Sequence, residues 1–299
     1  MADACVAPNP FTYMGQEFTV NYELLAVNTA GAVTENYTAD FVKLNNSLGS
    51  VDIGAIDSIS NTDLTARLPL AAQLNTNTNY LWGPDMGATL GVGEIETLLT
   101  INRAALPDGA YTVSIGVLPT DEDGVNILTS ALDLDVDSDL TDDNANHGES
   151  VQRYGRVFFD NFLWPEERAL YMPFIAQYFD AAVGTSGGFV PNRDDNCTAY
   201  LQADFALDPA SYTQQLNSGE TSISAVSDTN YINASGSVTL SSPGNGNFGS
   251  VDVIFTVPNY LQYDWDADNT TPDASPRNTA TFGSYRGNDR IIYRREVGR

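Results

Sequence analysis

Leu132-Asp-Leu-Asp-Val-Asp-Ser-Asp-Leu-Thr-Asp-Asp-Asn144 divides the chain in two. Strand-like segments run up to it and end near Ser130, and a second series starts at Arg153. Six carboxylates fall within eleven residues here, with no Lys or Arg among them. Like charges a few Å apart repel by roughly 1 kcal/mol per pair even in water. One reading is a solvated acidic linker between two domains. The other is a calcium loop, with Asp135, Asp137 and Asp139 at its first, third and fifth positions and Asp143 at its ninth, the alternating oxygen spacing that hard cations need. Leu140 then stands at the sixth position, where such loops favour Gly for a sharp turn.

Outward from this stretch the dominant period is two. Phe18, Val20, Tyr22 and Leu24 alternate with Thr19, Asn21 and Glu23, and Tyr111-Thr-Val-Ser-Ile-Gly-Val117 repeats the pattern after the turn Pro107-Asp-Gly109,. Asn36–Leu44, Ala66–Leu74, Glu94–Ile101 and Val125–Leu132 read as further strands, residues 45–63 as loops around short edge strands, and Asn75–Gly93 as a loop,. On the C-terminal side Leu170, Met172, Phe174, Ala176 and Tyr178 alternate along one long strand, and Pro173 on its outer face places it near an edge or bulge,. Val238–Leu240, Val251–Val257 and Arg290–Tyr293 supply later strands. No segment keeps a helical period over twelve residues. The expected fold is all-β: two antiparallel β-sandwich modules of immunoglobulin-like shape, residues 1–132 and 153–299, joined by an Asp-rich linker at 133–152,.

A chain of 299 residues has room for two cores,. Residues 1–150 hold 22 acids against 3 bases and residues 151–299 hold 17 against 10, for a formal charge of −26. Such a field repels nucleic-acid phosphates and anionic membrane surfaces, and no apolar run reaches the ~20 residues that span a bilayer. Met1-Ala-Asp-Ala-Cys5 has neither the basic nor the apolar region of a signal peptide,. The sequence therefore reads as a piece of a longer exported chain, its Met1 extraneous. Cys5 and Cys197, an even pair in an exported chain, are expected to bond to each other, the alternative being two separately partnered thiols,.

Catalytic motifs are sparse. The single histidine, His147, lies in the polar stretch and is expected to be solvated; there is no phosphate loop, nucleophile elbow or zinc ligand set,. A second acidic loop, Asp264-Trp-Asp-Ala-Asp-Asn-Thr-Thr-Pro-Asp273, puts Asp264, Asp266 and Asp268 at the first, third and fifth positions. Asn269 follows at the sixth, where it tolerates left-handed backbone. Ca²⁺ is the expected ion in one or both loops, the alternative for the second being a solvated acidic turn between two strands. Lys43, the only lysine, is expected to face solvent or pair with an acid rather than form an isopeptide crosslink,. Trp82, Trp164 and Trp265 are candidates for stacking on sugar rings, with a buried role expected for at least two.

Phe11-Thr-Tyr-Met-Gly-Gln-Glu-Phe18 with Asn36-Tyr-Thr38, Arg153-Tyr-Gly-Arg156, and Ala280-Thr-Phe-Gly-Ser-Tyr-Arg-Gly-Asn-Asp-Arg-Ile-Ile-Tyr293 carry a family resemblance. The chain resembles the C-terminal region of MshQ-like proteins, associated with biogenesis of the mannose-sensitive haemagglutinin (MSHA) type IV pilus. That resemblance implies a non-enzymatic module at the surface of a Gram-negative bacterium, acting in adhesion or pilus biogenesis, with other pilus or cell-surface proteins and glycans as partners. The alternative is a carbohydrate-binding module or accessory domain of a secreted hydrolase.

Overall fold

Alternation of apolar and polar side chains along short strands, without a helical stripe, forces pairs of sheets to bury their inner faces against each other. A computed structural model of the chain describes residues 1–6, 9–69, 78–83, 90–184, 187–265 and 274–283. Its described elements are strands and short 3-10 turns, arranged as two β-sandwiches. In the first, β2 (Glu17–Leu25), β6 (Val92–Thr100) and β5 (Thr78–Trp82) form one sheet in that spatial order. The facing sheet runs β1 (Thr12–Tyr13), β8 (Ala145–Arg153), β7 (Gly109–Thr120), β3 (Ser50–Asp57), β4 (Thr62–Asp63). Phe18, Val20, Ile95 and Leu99 from one sheet meet Val51, Ile53, Val113, Ile115 and Val117 from the other in a single core.

In the second sandwich β11 (Leu170–Asp180) is central: β9 (Gly155–Phe159) pairs with one side of it, and β15 (Ser235–Leu240) and β12 (Gly188–Pro191) pair with its first and last residues on the other; β14 (Ile223–Val226) closes the sheet beyond β15. The opposing sheet runs β10 (Phe162–Pro165), β17 (Arg277–Gly283), β16 (Gly249–Phe255), β13 (Phe205–Leu207). Phe174 of β11 is the hub of the core, in ring contact with Phe159, Tyr200, Phe205, Tyr231 and Phe255. The strand expected near an edge or bulge is thus central and in unbroken register with β15; Pro173 pairs with Ser237 there, while the β9 ladder opposite starts only at Phe174, so no partner on that side lacks its donor,. All pairings are antiparallel except β1 with β8 and β10 with β17.

Several expectations need correction. The stretch 133–152 is not a linker: Ala145–Arg153 is β8, paired along its length with β7, and Leu134 bridges Asn144. Its buried side chains include Ser150 and Gln152, polar residues hydrogen-bonded to each other, so no apolar alternation betrays it. Within 45–63, expected as loops around short edge strands, β4 is such an edge strand, but residues 50–57 are the longer, buried, interior strand β3; its last residue, Asp57, accepts from the Thr112 and Ser60 backbones and the Ser60 hydroxyl. Asn36–Leu44 and Val125–Leu132 are not strands. They hold 3-10 turns at Ala39–Phe41 and Thr129–Ala131, because local bonds such as Tyr37 N to Thr34 O and Ala131 N to Leu128 O satisfy the backbone in place of a ladder,. Thr65–Arg67 is likewise a 3-10 turn in place of the expected strand, and Thr78–Trp82 is a strand in place of the expected loop. Residues 70–74 and 290–293, both expected as strand, lie outside the described residues.

Candidate cation loop and interdomain joint

The acidic loop is the connection between β7 and β8 of the first sandwich. Leu134 and Val136, the apolar residues that alternate with its aspartates, drop onto Gly116 of β7 and Gly54 of β3, where a Cβ would collide with them. The polar positions are left outside. Asp135 accepts from the backbone N–H of Ser138 at 2.7 Å, Asp139 at 3.2 Å and Leu140 at 2.8 Å, and Asp137 and Asp139 accept from N–H groups two residues on. These bonds wrap the chain so that carboxylate oxygens of Asp135, Asp137, Asp139 and Asp143 all lie within 4.8 Å of one another. Calcium–oxygen distances centre near ~2.4 Å, so ligands on opposite sides of one ion are about 4.8 Å apart. Four oxygens of this span fit around a single ion.

Electrostatics divide the set. Desolvation and the charges of Asp137, Asp139, Asp135 and Asp142 push the Asp143 carboxyl up from its usual value. Desolvation also opposes ionisation of Asp135, but the Leu140, Ser138, Asp139 and Asp137 N–H groups outweigh it and hold that carboxylate below its usual value. Leu140 adopts φ +77° and is almost fully exposed, so the loop makes the left-handed turn without the expected Gly. In the second acidic loop Asp264 is described; Asp266, Asp268 and Asn269 lie outside the described residues.

Sequence reasoning missed a second constellation, at the joint between the sandwiches. The N-terminal segment bridges Thr19 of the first sandwich at Ala2, then crosses to the second. Cys5 is bonded to Cys197, as expected, and Phe11 and Tyr13 are fully buried in the second core. The Tyr13 hydroxyl donates to Asp195 at 2.9 Å and accepts from the Asn192 amide at 2.7 Å. Asp195, itself fully buried, also accepts from the backbone of Cys197 and Thr198. Burial first, and then the Asp195 charge, push the Tyr13 phenol well above its usual value. Arg153, the last residue of β8, pairs with Asp194 at 2.8 Å, donates to Asn192 and lies over the rings of Phe11 and Tyr178. From the first sandwich Arg103 donates to the carbonyls of Gln262 at 2.6 Å, Asn259 at 3.1 Å and Gly155 at 3.2 Å, over the Tyr154 ring at 4.1 Å. A buried polar network has no hydrophobic period; the only hint was the pair Arg153 and Arg156 in a chain poor in bases.

The remaining candidates fall as follows. Lys43 pairs with Glu122 at 3.0 Å. Trp82 is partly buried, donating to the Leu44 carbonyl, and Trp164 and Trp265 are exposed, so the expectation of at least two buried tryptophans is corrected: none of the three is fully buried. His147 is not solvated: it sits on β8, half-buried, its ring 4.9 Å from that of Tyr22. Burial lowers its pKa from 6.5, and the Asp133 charge opposes this. A depressed folded value means that stability is complete above the unfolded pKa and is lost as pH falls through the folded one. Between about pH 7.5 and 5 the melting temperature of the native chain is therefore expected to fall more steeply than that of His147→Gln. Parallel curves would show that the ring carries no such cost.

Residues 1–150 match the model of DUF6701, third domain, and residues 153–297 that of DUF6701, fourth domain. No curated protein matches the chain. Among solved structures it is similar to the I9–I11 tandem of titin, at 7% identity and a TM-score of 0.28, with 89% of this chain and 60% of that one covered. The chain thus spans less than two thirds of that structure. No helix among the described residues is long and apolar enough to cross a membrane, which leaves β-barrels unaddressed.

Proposed function

We propose, for a chain that belongs to the DUF6701 family and carries its third and fourth domains in tandem, a non-enzymatic role as a stiff segment of an exported, surface-displayed protein of the MshQ-like kind, serving adhesion or pilus biogenesis. The observation that carries this reading is the joint. A disulfide from the N-terminal segment to Cys197, the buried Tyr13–Asn192–Asp195 network and two ring-stacked arginines support one fixed arrangement of the two sandwiches. Disulfides persist in oxidising compartments, which supports export. Partners are other pilus or cell-surface proteins. Antibody against this chain should label intact cells of the parent bacterium, and loss of the gene should reduce piliation or attachment. Labelling only after lysis would contradict the proposal.

Calcium belongs to the same reading. Bound by Asp135, Asp137, Asp139 and Asp143, it would cancel the mutual repulsion of the loop and pin β7 to β8; the Asp264 loop is a second candidate. An ion that binds only the folded form stabilises it by roughly 2.7 kcal/mol at a hundredfold excess over its dissociation constant. Millimolar calcium should raise the melting temperature more than magnesium at equal ionic strength, and Asp135→Asn should abolish the difference. Left-handed backbone costs a β-carbon residue roughly 1–2 kcal/mol, offset in part by the entropy of Gly in the unfolded chain. Leu140→Gly is accordingly expected to stabilise the chain by up to about 1 kcal/mol and to tighten calcium binding. Superimposed melts with calcium and with chelator would remove the ion from the account.

A further inference from the structure

The outer face of the β9–β11–β15 sheet differs from the rest of this acidic molecule. Its outward positions alternate with the buried ones: Arg156 and Phe158 on β9, Tyr171 to Phe179 at every second residue on β11, and Ser235 and Thr239 on β15, with Ser237 between them buried. None is a carboxylate, in a chain with 39 acids. Tyr171 is 58% exposed, and Phe158, 37% exposed, pairs directly with Ile175. At one end the Arg156 guanidinium lies 3.7 Å from the centre of the Phe189 ring, within 5.0 Å of Tyr263 and 5.5 Å of Trp265. Its Nε is held by Gln177, and the Trp265 indole N–H is held by the Ala274 carbonyl, leaving the ring exposed. Six residues of β11 separate Tyr171 from Gln177, so this strip of rings, hydroxyls and amide is about 20 Å long.

We propose that this face binds a neutral polysaccharide chain, its sugar rings lying against Trp265, Phe158 and Tyr171 and its hydroxyls meeting Gln177, Arg156, Ser235 and Thr239. Charge selects this occupant. A polyanion is repelled by the net −26 of the molecule,. A basic protein is drawn to carboxylates, which this face does not offer. A pyranose presents a C–H face to aromatic rings and hydroxyls to polar tips, the pairing that amphipathic Trp and Tyr serve. The inference goes beyond the stiff-segment reading and stands on a different surface, so failure of either leaves the other standing.

The test is an array of short neutral oligosaccharides probed with the intact chain, followed by calorimetry with the glycan bound. Trp265→Ala and Tyr171→Ala, both at exposed positions, are expected to weaken binding about tenfold each, the scale of one stacked ring. Trp164→Ala, exposed on the opposite sheet, should bind as the native chain does. Absence of binding to any neutral glycan overturns the proposal, as does binding indifferent to Trp265 and Tyr171. Self-association of the native chain that Tyr171→Ala abolishes, without glycan binding, would make this face a contact between copies and overturn it equally.

Discussion

Reduction of the Cys5–Cys197 bond, or replacement of both cysteines by Ala, is expected to lower the melting temperature of the second sandwich by about 10 °C or more. The two residues are 192 apart in sequence, and closing a loop of that size removes unfolded-state entropy worth about 5 kcal/mol in the chain-entropy account. In a domain of this size each kcal/mol shifts the midpoint by roughly 2–4 °C. The bond also staples the first residues, which are otherwise held by the Ala2–Thr19 bridge, by pairing of Thr12 and Tyr13 with β8 and by burial of Phe11 and Tyr13 in the second core. Without it, Phe11 and Tyr13 leave the second core more readily, and the joint loosens with them. Calorimetry with and without reductant reads the effect, and a non-reduced digest shows the linked peptides. An unchanged melt would mean that the segment holds without its staple.

Asp195→Ala is expected to cost about 3 kcal/mol or more, because it strands three buried donors at once, each worth about 1–3 kcal/mol when unpaired. Those donors are the Tyr13 hydroxyl and the backbone N–H groups of Cys197 and Thr198. Tyr13→Phe is the gentler probe: it removes one hydrogen bond to a carboxylate, about 1.5–3 kcal/mol, and keeps the packing of the ring. Exposed Glu35→Ala should stay within about 0.5 kcal/mol of the native chain,. Denaturant midpoints for the three variants give the order directly. If Asp195→Ala behaves like Glu35→Ala, the network is not what holds the joint.

The strands that announced themselves were those with one wet and one dry face. β2 and β11 alternate by residue, and their inward side chains are the buried ones; β7 alternates in sequence too, although Leu134 and Asn144 cover its second face at Gly116. β3 and β8 escaped for opposite reasons. Small residues, Gly54 and Ala55, thin the apolar signal of the one, and the other buries Ser150 and Gln152 as a hydrogen-bonded pair. The acidic loop was legible residue by residue, since Asp135, Asp137, Asp139 and Asp143 do converge, but its place was not. Leu134 and Val136 fasten it to the first sandwich rather than leaving it between the two. The joint was least legible, because its partners lie some 180 residues apart, as Tyr13 and Asp195 do, and share no period.

Nitrogen-15 relaxation on the oxidised chain, measured across both sandwiches, tests the fixed joint most directly. Two domains locked by the disulfide, the Tyr13–Asp195 network and the Arg103 and Arg153 contacts must tumble as one body, with one diffusion tensor fitting amides from residues 1–150 and 153–283 alike. Two separate correlation times, each appropriate to a single sandwich, would contradict the account.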